Sequence, residues 1–532
     1  MAESGATRTQ HSTRNAVVGI VCQGITMILA FWGRKVFLDT LGDDYIGISG
    51  WLSSILSVLS ITELGIGTAI VVSLYKPFAT GDRAKIRATI RLLRRAYFYV
   101  GMVVLALGLS LLPFLPVLLN KETTLVDLRL VYLMYLFQSV SSYLFYGYKA
   151  VIFTADQRQS RIHFLTFLIS ALTTAAQMLS LVIWCNYYLY VGIFVFSTVL
   201  KNLLIARSAD RDYPYLKDIA RRRPDEDDEK HLPKAERQGI FRNLFGLSLY
   251  RISGTALNAT DTLVLGKFMG TLVIGLYNNY MMVITAVTTV LTLVFQSFTA
   301  SVGNLNVTDT PQRKHFIFRC LNLLDGWLYG VSSVCLFILL DPFVSLFFEQ
   351  RRVFADERIV PVIVLNFLTS GLLENVIMHK DACGLFWQGR FRPIFSTVLN
   401  IVLSIWWVTP LGIFGVLLAT VVSRLLTTWW FDPWMVHRHA FKTGVKNYVR
   451  QTLLVMGLTA ICCVLLRLLV AWLFPTVTLW HFMLMMILCA TLPNLVFFLA
   501  FRRSEEFAYL KEKGMGLWAK ICRKKTNKEA TL

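Results

Sequence analysis

The sequence predicts an all-α polytopic membrane protein. About fourteen transmembrane helices form two six-helix bundles, related as a parallel pseudo-repeat, with two additional C-terminal helices. Three observations predict it. Of 532 residues, 55% are hydrophobic and 16% charged, with a mean hydropathy of +0.56; soluble chains carry about 25% charged residues. Apolar runs long enough to cross a hydrocarbon core of about 30 Å recur along the whole length. Backbone in lipid must satisfy its own hydrogen bonds, so these runs are helices. Finally, Leu38-x-x-x-Gly42-x-x-x-Ile46-Gly47 returns as Leu265-x-x-x-x-Gly270-x-x-x-Ile274-Gly275, with the glycines at one constant offset and the leucine slipped by one. Each copy lies where the first helix of a half runs into the second, and both halves start on the same side.

The first helix, 16–41, follows Arg8 and Arg14 and lacks a small-residue cleavage site, so it reads as a retained helix. The second, 46–74, is joined to it by an acidic turn, Asp39 to Asp44. Helices at 95–119, 127–153, 161–184 and 187–207 complete an N-terminal bundle, 1–207. The polar stretch RRRPDEDDEKHLPKAERQ has mixed charge and no apolar period, which makes 208–242 a cytoplasmic linker. Helices at 243–267, 271–300, 319–346, 358–380, 392–409 and 411–431 build the second bundle, 243–437. Two more, 449–473 and 478–501, fill 438–501. A basic tail, 502–532, has spaced apolar residues suited to an anionic leaflet.

Loop charge sets the expected orientation. Lys76, Arg83, Lys85, Arg87, Arg91, Arg94 and Arg95 follow the second helix, and Arg158 and Arg161 the fourth. Arg313, Lys314 and Arg319 follow the eighth, and His437, Arg438, Lys442 and Lys446 the twelfth. Intervening loops are acidic or nearly uncharged; in the exception, after the ninth helix, Arg351, Arg352 and Arg358 balance Glu349, Asp356 and Glu357. Both termini are therefore expected in the cytoplasm. The same clustering accounts for the net charge of +21 and points away from nucleic acid. The nine cysteines are scattered, mostly in apolar runs, without metal or disulfide spacing, and no phosphate-binding loop occurs.

Charges inside apolar runs are expensive in a bilayer and mark polar pathways. Arg34 and Lys35 lie in the first helix; each reads either as a snorkelling base or as a cation lining a cavity. Arginine suits phosphate because its planar fork donates two parallel hydrogen bonds. Arg251 and Arg424 are further mid-depth cations; they join Arg34 and Lys35 as substrate-site candidates and are also candidate partners for Glu63. Glu63, in TELGIG, is too deep to snorkel and needs a cation or a proton. Asp261 lies near the depth and repeat position of Arg34, as a structural ion pair or a gate. Asp39 and Lys267 occupy equivalent repeat positions and read as interfacial. Glu374 is a further ion-coupling candidate; His379, Lys380 and Asp381 read as interface anchors, while Asp325 and Lys149 could line a vestibule. No metal site and no catalytic constellation is expected, and no cofactor beyond a coupling H+ or Na+.

Three segments carry a family resemblance: RKVFLDTLGDDYIGISGWLSSILSVLSITELGIGTAIVVSLYKP, LYRISGTALNATDTLVLGKFMGTLVIGLYNNY, and the stretch CGLFWQGRFRPIFSTVLNIVLSIWWVTPLGIFGVLLATVVSRLLTTWWFDPWMVHRHAF. In this order they resemble Wzx-type polysaccharide or O-antigen repeat-unit flippases of the multidrug/oligosaccharidyl-lipid/polysaccharide (MOP) exporter superfamily. The resemblance implies two bundles around a V-shaped cavity in a bacterial cytoplasmic membrane. It implies a polyprenyl-pyrophosphate-linked oligosaccharide carried to the outer leaflet by alternating access, with cations holding the pyrophosphate and an ion gradient driving the cycle. Membrane lipids, a polysaccharide polymerase and glycosyltransferases are the implied partners. The alternatives are a lipid II flippase or a drug/cation antiporter of the same superfamily, and, in another class, a membrane polysaccharide polymerase or ligase, for which the short loop Asp341 to Arg358 is the sole candidate.

Overall fold

A computed structural model describes residues 8–60, 74, 77–78, 80–119, 125–144, 147–156, 159–216, 253–257, 259–385, 388–476 and 478–513 of the chain. All regular structure among them is helical. The main helices are α1 (Arg8–Thr40), α2 (Asp43–Leu59), α3 (Arg83–Leu111), α4 (Leu128–Leu144), α5 (Gln159–Trp184), α6 (Tyr187–Asp212), α7 (259–268) and α8 (Thr271–Thr308). They continue as α9 (Pro311–Phe348), α10 (Ile359–Gly371), α11 (Glu374–Ala382), α12 (Arg392–Val436), α13 (Lys446–Leu473) and α14 (Leu479–Phe501). Among the described residues, ten helical stretches are long and apolar enough to cross a membrane. The chain is thus a multi-pass membrane protein. The linker expected at 208–242 falls mostly outside the described residues.

Several boundaries differ from the sequence reading, and the start of α3 shows why. α3 begins at Arg83, not 95, because the basic stretch is itself helical. Asp82 caps it, accepting from the Lys85 amide at 2.9 Å, and Ile86, Ala88, Ile90 and Leu93 bury one face while the arginines take the other. Hydropathy averages over both faces and so misses this turn-on. The expected helices 392–409 and 411–431 are both present, as the two parts of α12 on either side of Gly412, whose φ of 59° and ψ of −141° leave helical space two residues after Pro410. A residue with a Cβ rarely adopts that backbone.

The chain forms two compact units, Met1–Asn278 and Asn279–Leu532. In the first, α1 packs along α5, and α6 packs on both α4 and α5. The repeat glycines explain themselves here. Gly42 and Gly270 precede the N-termini of α2 and α8 with φ of 91° and 87°, the same left-handed turn used twice. One turn later the two N-termini cross. A Cβ on Gly47 would fall on the Thr271 carbonyl, and a Cβ on Gly275 on the Asp43 carbonyl. The offset that relates Gly47 to Gly275 also relates Asp43 to Thr271, so the contact is reciprocal. It relates Gly50 to Asn278 as well, and these two meet each other. A residue that touches its own repeat equivalent lies on the local two-fold axis. The Thr271 hydroxyl adds a bond to Asp44 Oδ1 at 2.6 Å.

In the second unit α13 and α14 pack on α9 through Val334, Ile338, Cys462, Leu466 and Cys489 and through Leu323, Val455, Phe497 and Phe501. Gly326 and Gly330 leave the space that Val455 and Phe497 fill. Such close packing against small residues holds membrane helices together, since lipid offers apolar groups no driving force to leave it. The outward row of α13, including Val464, Leu465, Leu468 and Trp472, stays exposed for that lipid.

Candidate functional site

In the first unit, Arg34 lies near the C-terminal end of α1, half-buried. Its electrostatic neighbours are Tyr190 of α6 and Asp43 in the first turn of α2. Among the described residues it makes no hydrogen bond or salt bridge, and Asp261 is not one of its neighbours. An aromatic shell adjoins it through Tyr190, whose ring stacks on Tyr187. Phe37, one turn on along α1, meets the Tyr190 ring edge-on at 4.8 Å, and Tyr45 tilts against Tyr187 at 5.0 Å. Behind that, the Ser49 and Tyr187 hydroxyls are 2.7 Å apart, with the buried Tyr135 as their electrostatic neighbour. α1, α2, α4 and α6 thus each contribute a side chain. A guanidinium without a hydrogen-bond partner among the described residues, beside the Tyr190 phenol, can take an anionic oxygen.

Lys35 is half-buried on the same helix. Asp261 is buried, with Tyr277 as a neighbour in the same unit. Asp39 and Lys267 are exposed, the latter beside the Phe268 ring. Lys149 is buried against Asp210 at 2.5 Å. Arg251 and Glu63 lie outside the described residues.

In the second unit, Arg424 of α12 is tied to α10: its Nη1 donates to the Asn366 carbonyl at 2.9 Å, to Asn366 Oδ1 at 2.6 Å and to Thr369 Oγ1 at 3.0 Å. Glu374 is half-buried at the start of α11, with Asp325 and Asp381 as electrostatic neighbours. His379 and Lys380 are buried, which corrects their reading as interface anchors; Asp381 is exposed. Lys380 bonds to the wholly buried Asp432 at 3.3 Å, and Arg392 bonds to the same carboxylate oxygen at 3.0 Å. Sequence reasoning missed Asp432 and Arg392, since partners 52 and 40 residues apart leave no local signal. It also missed the tyrosine shell, although Tyr187, Tyr188 and Tyr190 cluster in the chain.

The acids of the loop between α9 and α10 each face an arginine. Glu349 pairs with Arg351 at 2.7 Å, Asp356 with Arg358 at 2.9 Å and Glu357 with Arg467 at 2.9 Å. Hydrogen bonds from Arg358 hold the partly exposed Asp356 carboxyl below the usual range. Among the described residues no group of three His, Cys, Asp or Glu side chains could hold a metal ion.

No family profile and no curated protein matches the sequence. Solved structures do match the fold. The chain superposes on lipid II flippase MurJ in an inward closed conformation with a TM-score of 0.64 and 13% identity, covering 91% of this chain and 99% of that one. An inward-facing multidrug resistance MATE transporter of the MOP superfamily matches with a TM-score of 0.53 and 12% identity, covering 80% and 98%. A MATE structure in the bent conformation gives 0.53 and 11%, covering 85% and 97%. This chain therefore has the fold of MOP-superfamily transporters. The neighbours named here are flippases and transporters, not enzymes.

Proposed function

We propose that this chain moves a polyprenyl-pyrophosphate-linked oligosaccharide from the inner to the outer leaflet of a bacterial cytoplasmic membrane, for surface polysaccharide synthesis. Alternating access carries the headgroup, and an ion gradient drives it, since the sequence has no nucleotide-binding loop. Both termini face the cytoplasm, as the loop charges predict. The observation that carries the reading is Arg34: a half-buried guanidinium, without a hydrogen-bonded carboxylate among the described residues, beside Tyr190 and the aromatic shell that Tyr190 belongs to. It receives the pyrophosphate, and the phenols meet the first sugar. Lys35 adds long-range attraction. An antiporter for cationic drugs would need the opposite charge at this position.

The MurJ likeness favours a second reading, lipid II as the substrate, with the same pyrophosphate chemistry and a different sugar. Depletion of the protein separates the readings. Lipid-linked repeat units trapped on the cytoplasmic side, inaccessible to an external glycosidase, support the first. Trapped lipid II with unimpaired surface polysaccharide supports the second. Unpolymerised repeat units accumulating on the outside would overturn both and indicate a polymerase or ligase.

A further inference from the structure

Asp325 lies within α9 and is wholly buried. Its Oδ2 accepts the Asn375 amide at 3.5 Å, and its Oδ1 has no hydrogen-bond donor. Asn375 is also wholly buried; its Nδ2 is anchored on the Phe318 carbonyl at 3.2 Å and its Oδ1 likewise lacks a donor. Glu374, the residue before it, is the charge that Asp325 feels, and the Tyr329 ring feels both carboxyls. Tyr448 of α13 faces Asp325 and Asp432, and Asp381 faces Glu374. α10, which packs on α9, has no ionisable residue, and on α14 the only ones are His481, bonded to the Thr476 carbonyl, and Cys489. The nearby cations are spoken for: Lys380 and Arg392 lie on Asp432, and Arg424 on Asn366 and Thr369. Among the described residues neither Asp325 nor Glu374 has a cationic partner.

Two carboxylates beside each other in a medium of low dielectric cannot both remain ionised without a counter-charge. A bound proton supplies it, and it turns an Asp325 Oδ1 that has no donor into a neutral hydroxyl. A divalent metal would want more acidic or imidazole ligands than the described residues bring together. We propose that Asp325 and Glu374 form a proton-binding site inside the second unit, loaded through the half-buried Glu374 and stored on the sealed Asp325. A proton from water forms an O–H bond with one carboxylate oxygen, and its departure restores the carboxylate. The proposal rests on the transport reading in one respect: this proton is the ion whose gradient drives the cycle.

The test begins with the full chain in lipid nanodiscs, by infrared spectroscopy of the carboxylic acid C=O stretch at neutral pH. The wild type should show a protonated-carboxyl band that Asp325→Asn removes and Glu374→Gln shifts, with no response to sodium. A band unchanged in both variants, or one bleached by sodium, overturns the proton site. Glu374→Gln, isosteric and only half-buried, keeps the test alive should Asp325→Asn fold poorly. Vesicles loaded with lipid-linked substrate then read the coupling: Glu374→Gln should still move substrate down its own gradient but lose the response to an imposed pH gradient. An equal response in that variant overturns the coupling. The expected infrared result, in vesicles where even the wild type moves nothing, would retain the proton site and reject the transport reading.

Discussion

Arg34 and Arg424 are the same residue in the same kind of sequence, an apolar run with one guanidinium in it. Their surroundings differ. Arg424 spends one nitrogen on three neutral oxygens of α10 and so fastens two helices together. Arg34 has only Tyr190 and Asp43 as electrostatic neighbours, and no hydrogen bond among the described residues. An intramembrane charge can thus be a staple or stand without a hydrogen-bonded partner among the described residues, and the distinction lies in its surroundings rather than its depth.

The largest expected effect breaks the comparison at Arg34. Arg34→Gln keeps the length and removes the charge. Charge-assisted hydrogen bonds are worth about 1.5–3 kcal/mol, so substrate movement in vesicles should fall roughly ten- to hundredfold. The melting temperature should stay near the wild-type value, because little in the folded protein leans on this guanidinium. Arg34→Lys should fall between, having lost the planar fork. Unchanged movement in Arg34→Gln would return the residue to snorkelling.

Next comes the backbone that positions Asp43. Gly275→Ala puts a methyl on the Asp43 carbonyl. Overpacking of this kind costs about 1–3 kcal/mol, and here the strain falls on the residue whose carboxylate faces Arg34. Thermal unfolding should shift down and movement should weaken together. Gly254→Ala is the control, since a Cβ there meets nothing within 4 Å. A loss equal to that of Gly275→Ala in the control would show that the crossing is not special.

Arg424→Gln should do the reverse of Arg34→Gln. Asn366 and Thr369 would lose a donor, a cost of about 1–3 kcal/mol in stability. Movement per folded molecule should stay close to wild type. Should Arg424→Gln instead abolish movement at full stability, Arg424 is a substrate residue and the contrast collapses.

What was legible in the sequence follows the same logic. The repeat glycines could be read because a left-handed turn and a backbone crossing each admit few residue types, so the pattern survives in both halves. Arg34 and Glu374 stood out because charge in an apolar run is rare. Their partners were not legible. Asp261 and Arg34 share a depth, yet depth gives no azimuth around the helix, and the two are not neighbours. Lys380 was read as an anchor because its partner Asp432 lies 52 residues away. The start of α3 was hidden by its own amphipathic character, arginines on one face and Ile86, Ile90 and Leu93 on the other. Asp325 reads in the sequence as a residue that could line a vestibule, whereas the fold buries it wholly, beside the Asn375 backbone amide of α11.

The smallest expected effect tests how the tyrosine shell works. Tyr187→Phe keeps the ring against Tyr45 and Phe37 and removes only the hydroxyl that meets Ser49. Losing one such hydrogen bond costs about 1 kcal/mol, and Ser49 keeps its bond to the Tyr45 carbonyl at 2.9 Å. If the shell only holds Arg34 in place, unfolding should shift slightly and movement should not change for any headgroup. If the phenols meet sugar, movement should fall severalfold for the glycosylated lipid and remain intact for the bare polyprenyl pyrophosphate. The bare lipid is the sharper probe of the two, because it needs the guanidinium and has nothing for the tyrosines to grip.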